Sequence, residues 1–327
     1  MKSASAVNVA VVAAALLGAA AACAQTFPSR PVRIIVPYVT GGAVDATARL
    51  LGATVAESVG QPMLVENRPG ASSIIGMQAC AKAPPDGYTL CMTVADSLSY
   101  NPHMFRNLPY DPDRDFAPVI NLARGVSMLF AKGDAPFNSV KELIAYAKAN
   151  PGKVNWGTWG AASIPDLYLQ WLRRQAGVDI AAVPYKGAGA AVPATLSGEV
   201  DVTYMVIGVV IPHIKAGKAK PLAVVGNQRS PLLPDVPALS EEGMDPGLHS
   251  YFGIFATGGT PRPVVDRLNG EFNKALQQPK IEQFLRAQTL EIVGGSASDF
   301  GQFLKEDRAA AGRVFQAAGV KPTDVTY

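Results

Sequence analysis

From Val32 onward, short apolar runs rich in Val and Ile alternate with longer segments of helical period, and Gly, Pro, Asn or Asp punctuates the joins. That alternation constrains the fold most, because strands spaced by helices pack as sheets covered on both faces. Strands are expected at 32–36, 63–66, 88–94, 119–122, 126–130, 154–157, 180–185, 200–207, 221–225, 251–256 and 290–293. Parallel pairing is expected throughout. Ser139 and Glu142 form a capping box for a helix ending at Asn150-Pro151-Gly152, Ser163 and Asp166 cap another, and Ser298 is expected to cap the last. Residues 101–115, rich in Pro, Asn and Asp, read as irregular surface, and 211–216 as a short helix.

The chain begins Met1-Lys2, runs apolar and Ala-rich from Ala6 to Ala22, and meets an A-x-A pattern at Ala22-Cys23-Ala24. Residues 1–24 therefore read as a secretory signal peptide, and the mature protein is expected in the periplasm. A lipoprotein anchor on Cys23 is the alternative, although no Leu stands three positions before it. The rest of a 327-residue chain suffices for about two domains. The net charge of +3 falls to +2 without Lys2, too small and dispersed a surplus for nucleic acid. Cys80 and Cys91 flank the turn Pro84-Pro85-Asp86-Gly87, with Cys80 near a helix end and Cys91 in the next strand. In an oxidising compartment they are expected either to pair or to remain two buried thiols. His103, His213 and His249 lie far apart in sequence, so no metal site is expected.

No G-x-S-x-G or H-E-x-x-H is present. Gly187-Ala188-Gly189-Ala190-Ala191-Val192 follows a strand, yet Val192 replaces the third glycine of a dinucleotide loop and no acid follows at the required distance. What remains is a set of strand-end loops rich in small residues: Tyr38–Gly42, Gly70–Ser73, Thr93–Ser97, Gly157–Ser163 and Tyr185–Gly189. In open α/β sheets ligands bind at the carboxyl ends of strands. Small residues let a ligand approach main-chain N–H groups, and a Gly-Gly loop before a helix N-terminus attracts an anion without a basic side chain. Each N–H bonding a charged acceptor contributes roughly 1.5–3 kcal/mol. Binding without chemistry needs nothing further, so neither an enzyme nor a cofactor is expected.

Several segments in order carry a family resemblance: Pro28-Ser29-Arg30-Pro31-Val32-Arg33-Ile34-Ile35-Val36-Pro37, Gly41-Gly42 with Asp45 and Ala48-Arg49, Val65-Glu66-Asn67-Arg68-Pro69-Gly70-Ala71, Pro85-Asp86-Gly87-Tyr88-Thr89-Leu90, Val183-Pro184-Tyr185-Lys186-Gly187, Leu233-Pro234-Asp235-Val236-Pro237 and Gly259-Thr260-Pro261. The chain resembles the extracytoplasmic solute receptors of tripartite tricarboxylate transporters, the Bug receptors. The resemblance implies an α/β protein of two Rossmann-like lobes, a type II periplasmic binding protein that closes like a Venus flytrap. Residues 25–125 with 248–327 would form one lobe and 126–247 the other. The implied ligand is a small carboxylate, a dicarboxylate of aliphatic or aromatic body. The implied partners are membrane permease subunits, or a sensor kinase if the receptor senses rather than transports, and a monomer is expected.

The ligand set so implied is Tyr38, Val39, Thr40, Gly41, Gly42, Asp45, Ser72, Ser73, Ala95 and Ser97 from the first lobe. The second supplies Thr158, Trp159, Ser163, Tyr185, Lys186, Gly187 and Val206. Compared with relatives, Thr40 adds a hydroxyl, Asp166 stands where His is common, Tyr251 replaces a frequent Trp, and Val206 removes a polar group, which disfavours a ligand amine. Trp159 could stack on a planar ligand. Each residue also has a plainer role: Asp45 and Asp166 as helix caps, Arg49 and Arg68 in ion pairs, Lys186 in solvent, Trp159 as a lobe cover and Trp156 in the core.

Overall fold

The computed structural model describes residues 27–160, 163–185 and 188–325. The expected signal peptide, Lys186 and Gly187 lie outside the described residues. The first half of the chain gives β1 (Val32–Val36), α1 (Ala43–Val59), β2 (Met63–Asn67), α2 (Ile74–Ala81), β3 (Thr89–Val94), a π-helical turn at Asp96–Tyr100, α3 (Asn101–Met104) and β4 (Phe116–Gly125). A second group follows: β5 (Ser127–Lys132), α4 (Val140–Ala149), β6 (Val154–Thr158), α5 (Ile164–Ala176), β7 (Ile180–Pro184), α6 (Ala188–Ser197), β8 (Val202–Val206), α7 (Ile207–Lys215) and β9 (Ala219–Val224). The tail is β10 (Ser250–Thr257), α8 (Arg262–Leu276), α9 (Pro279–Ala287), β11 (Leu290–Gly294) and α10 (Ala297–Ala317).

These strands form two sheets, ordered β11-β4-β10-β3-β1-β2 and β7-β6-β8-β5-β9. Both are mixed, which corrects the expectation of parallel pairing. β1 runs parallel to β2 and β3, with Ile34 opposite Val65 and Leu90, but β10 is antiparallel to both its neighbours and β5 is antiparallel to β8 and β9. The cause is the path between sheets. β4 crosses to β5 through Val126 alone, so β5 enters its sheet at the end facing the other sheet and runs against β8 and β9. β10 re-enters the first sheet the same way after residues 225–249. Loops after β1, β3, β6 and β8 consequently sit at the end of each sheet from which the crossings leave.

The alternation of side chains across each strand divides the core into layers. Val32, Ile34 and Val36 join Leu51, Val55, Ile254, Phe272 and Leu285 on one face of the first sheet. Ile35, Cys91 and Phe255 lie in a second cluster with Met77, Phe300 and Leu304. That cluster continues without a break into Leu129, Trp156, Leu167, Leu172 and Leu222 of the second sheet, while Met128, Phe130, Val192 and Val210 cover its far face. Tyr100, Tyr168, Tyr204 and Tyr251 lie where the sheets meet, and the Tyr100 and Tyr168 hydroxyls donate to the His249 and Leu248 carbonyls of the second crossing at 3.0 and 3.3 Å. Burying each large apolar side chain contributes about 1.5–3 kcal/mol, against about 0–1 for an exposed ion pair. The apolar layers therefore outweigh rim pairs such as Arg262–Asp266.

Local capping differs in detail from the sequence reading. Ser139 Oγ accepts from Glu142 N as a capping box requires, but the Glu142 carboxylate reaches one residue further back, to Asn138 N at 2.7 Å. Ser296, not Ser298, caps α10, accepting from Asp299 N. Ser163 starts α5 without a side-chain cap, because its hydroxyl is committed to the preceding loop. α7 begins at Ile207 rather than 211, its first N–H bonding to Val126 O at 2.9 Å. Part of the irregular 101–115 stretch is the short helix α3.

Cys80 and Cys91 form a disulfide, with Cα atoms 6.2 Å apart and both residues fully buried. It fastens the end of α2 to the middle of β3. Closing so short a loop restricts the unfolded chain and is worth about 2–3 kcal/mol. Urea denaturation of a Cys80→Ala/Cys91→Ala variant is expected to show that loss relative to the parent. A loss below about 0.5 kcal/mol would mean that the bridge adds little to the fold.

Candidate functional site

The loop after β1 is shaped by one buried carboxylate. Asp45, 2% exposed, accepts from Gly41 N at 2.9 Å, Asn67 Nδ2 at 2.9 Å and Arg49 Nε at 3.1 Å, and pairs with Arg49 Nη2 at 2.9 Å. Burial alone would raise its pKa, but the bonds from Arg49, Gly41 and Asn67 together hold it below the usual carboxylate range. Gly42 is the N-cap of α1 and has no side-chain cap, so Asp45 anchors the loop from beneath rather than capping the helix. Gly41 takes φ 88°, the left-handed region that side chains avoid. Val39, Thr40, Gly41 and Gly42 are exposed above this anchor. Behind it, α2 approaches so closely that a Cβ on Gly76 would lie 2.8 Å from both Pro37 Cα and the Arg68 carbonyl.

A hydroxyl network joins the ends of β1 and β3 to the loop before α2. Tyr38 OH donates to Asp96 Oδ1 at 2.6 Å and lies 3.0 Å from Thr93 Oγ1 and 3.3 Å from Ser97 Oγ. Ser97 Oγ lies 2.7 Å from Ser73 Oγ, and Asn101 Nδ2 donates to Ser72 O at 2.8 Å. Ala71, Ser72 and Ser73 all take positive φ, between 47° and 72°, a conformation costing about 1–2 kcal/mol per residue. The bonds from Asn101 and Ser97 hold them there, and strain of this kind gathers at ligand clamps. Tyr38, Ser73, Ala95 and Ser97 are thus brought together, but the three hydroxyls are largely spent on one another.

In the second sheet, Thr158 is buried and Trp159 partly exposed. Ser163 Oγ accepts from Trp159 N at 3.2 Å and donates to Gly160 O at 2.7 Å, closing the loop upon itself. The Trp159 ring meets Tyr204 edge-on with centroids 5.9 Å apart, and its buried Nε1 has no acceptor among the described residues. Trp156 is fully buried, as a core residue should be. Tyr185 N donates to Thr158 O at 2.9 Å, but its hydroxyl turns to Glu199 at 2.7 Å, and burial with that bond pushes the phenol up to about 12. Val206 pairs with Ser127 at the end of β8. Asp166 accepts from Gln170 Nε2.

Asp96 is the residue that the sequence reading passes over, although it lies inside the Thr93–Ser97 loop. Burial pushes its carboxyl up to about 6, against the lowering pull of the bonds from Tyr38 and Ser97. An acid in a strand-end loop with no basic residue close in sequence was the available signal. A cavity of about 590 Å³ lies elsewhere, between the crossings, β11 and α10, lined by Arg124, Gln228, His249 and Asp307 but by none of the expected ligand residues.

A family model described as the tripartite tricarboxylate transporter family receptor matches residues 47–320. Protein BugT of Bordetella pertussis is 32% identical, over 93% of this chain and 94% of its own length. A TctC solute binding protein from Polaromonas, solved with no ligand, superposes with a TM-score of 0.82 at 28% identity, covering 89% of this chain and 99% of that one. An R. palustris protein solved with adipate superposes with a TM-score of 0.70 at 33% identity, covering 91% and 100%.

Asp96 and Asp45 have opposite effects on stability. The folded-state pKa of Asp96 lies above its ordinary 3.8, so between about 4 and 6 the folded protein holds a proton that the unfolded chain has released. Its contribution therefore falls as pH rises through that window. Asp45, with its pKa lowered, contributes stability above the ordinary carboxylate pKa that is lost as pH falls. Asp96→Asn is expected to raise unfolding free energy at pH 8 by about 1–3 kcal/mol and not at pH 3.5. Denaturant titrations at the two pH values check this, and an equal effect at both would contradict it.

Proposed function

Because the chain belongs to the tripartite tricarboxylate transporter receptor family, and is a substrate-binding receptor rather than an enzyme, we propose that it captures a small dicarboxylate between two closing lobes in the periplasm and delivers it to a membrane permease. Its α/β architecture is that of the two-lobe type II periplasmic binding proteins. Residues 25–125 with 248–327 would form one lobe and 126–247 the other, a division supported by the sheet membership of the described strands. No helix among the described residues is long and apolar enough to cross a membrane.

The observation that carries this reading is the placement of two sets of strand-end loops at the ends from which the crossings leave. Exposed Thr40 and Gly42 would present main-chain N–H groups to a carboxylate from one side, the Gly41 N–H being held by Asp45, and the loops at Thr158–Gly160, Ser163 and Tyr185 would meet it from the other. Asp45 lies beneath the first loop as its anchor. The adipate bound by the R. palustris neighbour supports a dicarboxylate. The unliganded Polaromonas neighbour superposes better despite lower identity, which supports an open, ligand-free arrangement of the lobes. Closure would then complete the site.

A ligand that binds only the folded state raises its melting temperature. Thermal shift against aliphatic and aromatic dicarboxylates, monocarboxylates, tricarboxylates, sugars and polyamines is expected to give its largest rise with a dicarboxylate. A rise confined to sugars or polyamines would overturn the reading. Gly41→Val, which forces a side chain into a left-handed backbone, is expected to weaken that ligand about tenfold, a cost of about 1.4 kcal/mol, while the protein stays folded. Unchanged affinity in calorimetry would remove the first loop from the site.

A further inference from the structure

We propose that Asp96 is a specificity-determining residue, selecting acids that carry a hydrogen-bond donor, a hydroxyl or an ammonium, beside the carboxylate gripped by the loops. The inference deepens the carboxylate-receptor reading and rests on it.

Three other acids with little exposure have a basic partner: Asp45 has Arg49, Glu271 has Arg267 and Lys274, and Asp307 has His249. Asp96 has none within ion-pair reach among the described residues. It is half-buried, and its side-chain partners among the described residues are hydroxyls, Tyr38 at 2.6 Å and Ser97 at 3.2 Å. Tyr38 in turn belongs to the loop proposed to hold the ligand. An acid placed beside an anion site without a counter-charge repels a ligand that offers only carboxylates. A ligand hydroxyl or ammonium converts that repulsion into a charge-assisted hydrogen bond. Asp96 thus supplies the acceptor whose loss at Val206 argued against an amine. Tyr38 OH, fixed between Asp96, Thr93 and Ser97, sets the direction in which the carboxylate can accept.

Isothermal titration of the mature protein at pH 7.5 with matched acids tests this: succinate against malate and aspartate, glutarate against glutamate. The donor-bearing member is expected to bind at least about tenfold tighter, the size of one charge-assisted bond. In Asp96→Ser the gap is expected to shrink to about twofold, chiefly because the unsubstituted acid binds better. Melting curves establish that the variant is folded, and Tyr38→Phe, which leaves Asp96 in place but removes its orienting bond, is expected to narrow the gap as well.

The ammonium pair adds a pH readout. Its gap is expected to narrow from pH 8 to pH 5, since burial pushes the Asp96 carboxyl up to about 6. Among the described residues the titratable groups around it are Tyr38, Tyr100, Tyr110 and Tyr251, all raised above the ordinary phenol value and so neutral across that range, and α10 adds the Arg308 guanidinium, which donates to the Leu98 carbonyl at 3.2 Å. Equal affinity within each pair, or a gap retained in Asp96→Ser, overturns the role of Asp96 and leaves the receptor reading standing. Failure of every carboxylate, with another ligand class binding, overturns both.

Discussion

The crossing at Val126 is the constraint on which the rest of the structure depends. With a single residue between β4 and β5, the two sheets stay joined at that point, and the strand that enters each sheet must start at the end facing the other. That entry sets β5 and β10 antiparallel to their neighbours. It also fixes which strand ends lie beside the crossings, and hence which loops are available to a ligand. The tyrosines at the junction reinforce the arrangement by bonding to Leu248 and His249 on the returning segment.

Within that frame, the first loop is built by subtraction of freedom. Asp45 takes the Gly41 N–H and the Asn67 amide, while Arg49 neutralises it from the surface. The exposed residues above are left with little room to rearrange. A loop so held loses less entropy when a ligand arrives than a mobile one would. The left-handed run at Ala71–Ser73 follows the same logic, since its strain is offset by Asn101 and Ser97 before any ligand is present.

Much of this was legible in the sequence, and the rest was hidden for identifiable reasons. Short β-branched runs and helix stops located the strands and helices, because those signals are local. Strand direction was not local: nothing in the composition of Ser250–Thr257 says that it enters its sheet from a crossing. The small-residue loops pointed to Tyr38, Ser73 and Ser97, yet their mutual hydrogen bonds, and the turn of the Tyr185 hydroxyl to Glu199, depend on contacts distant in sequence. Asp96 offered a local signal, an acid in a strand-end loop with no base close in sequence, but that no base among the described residues pairs with it is a property of the folded surroundings. The cysteine pair could be named from its spacing around a turn, but only the meeting of α2 with β3 decides that it closes.

The apolar cluster that runs unbroken from Ile35 and Phe255 to Trp156 and Leu222 has a thermodynamic consequence. Two lobes with separate interiors could melt one after the other. Here the side chains at the junction belong to both interiors at once, so exposing one exposes part of the other. Heating should therefore produce one cooperative calorimetric transition instead of two. Whatever bridges the lobes would delay the unfolding of the entire chain, making global melting a faithful reporter of an event confined to a few loops.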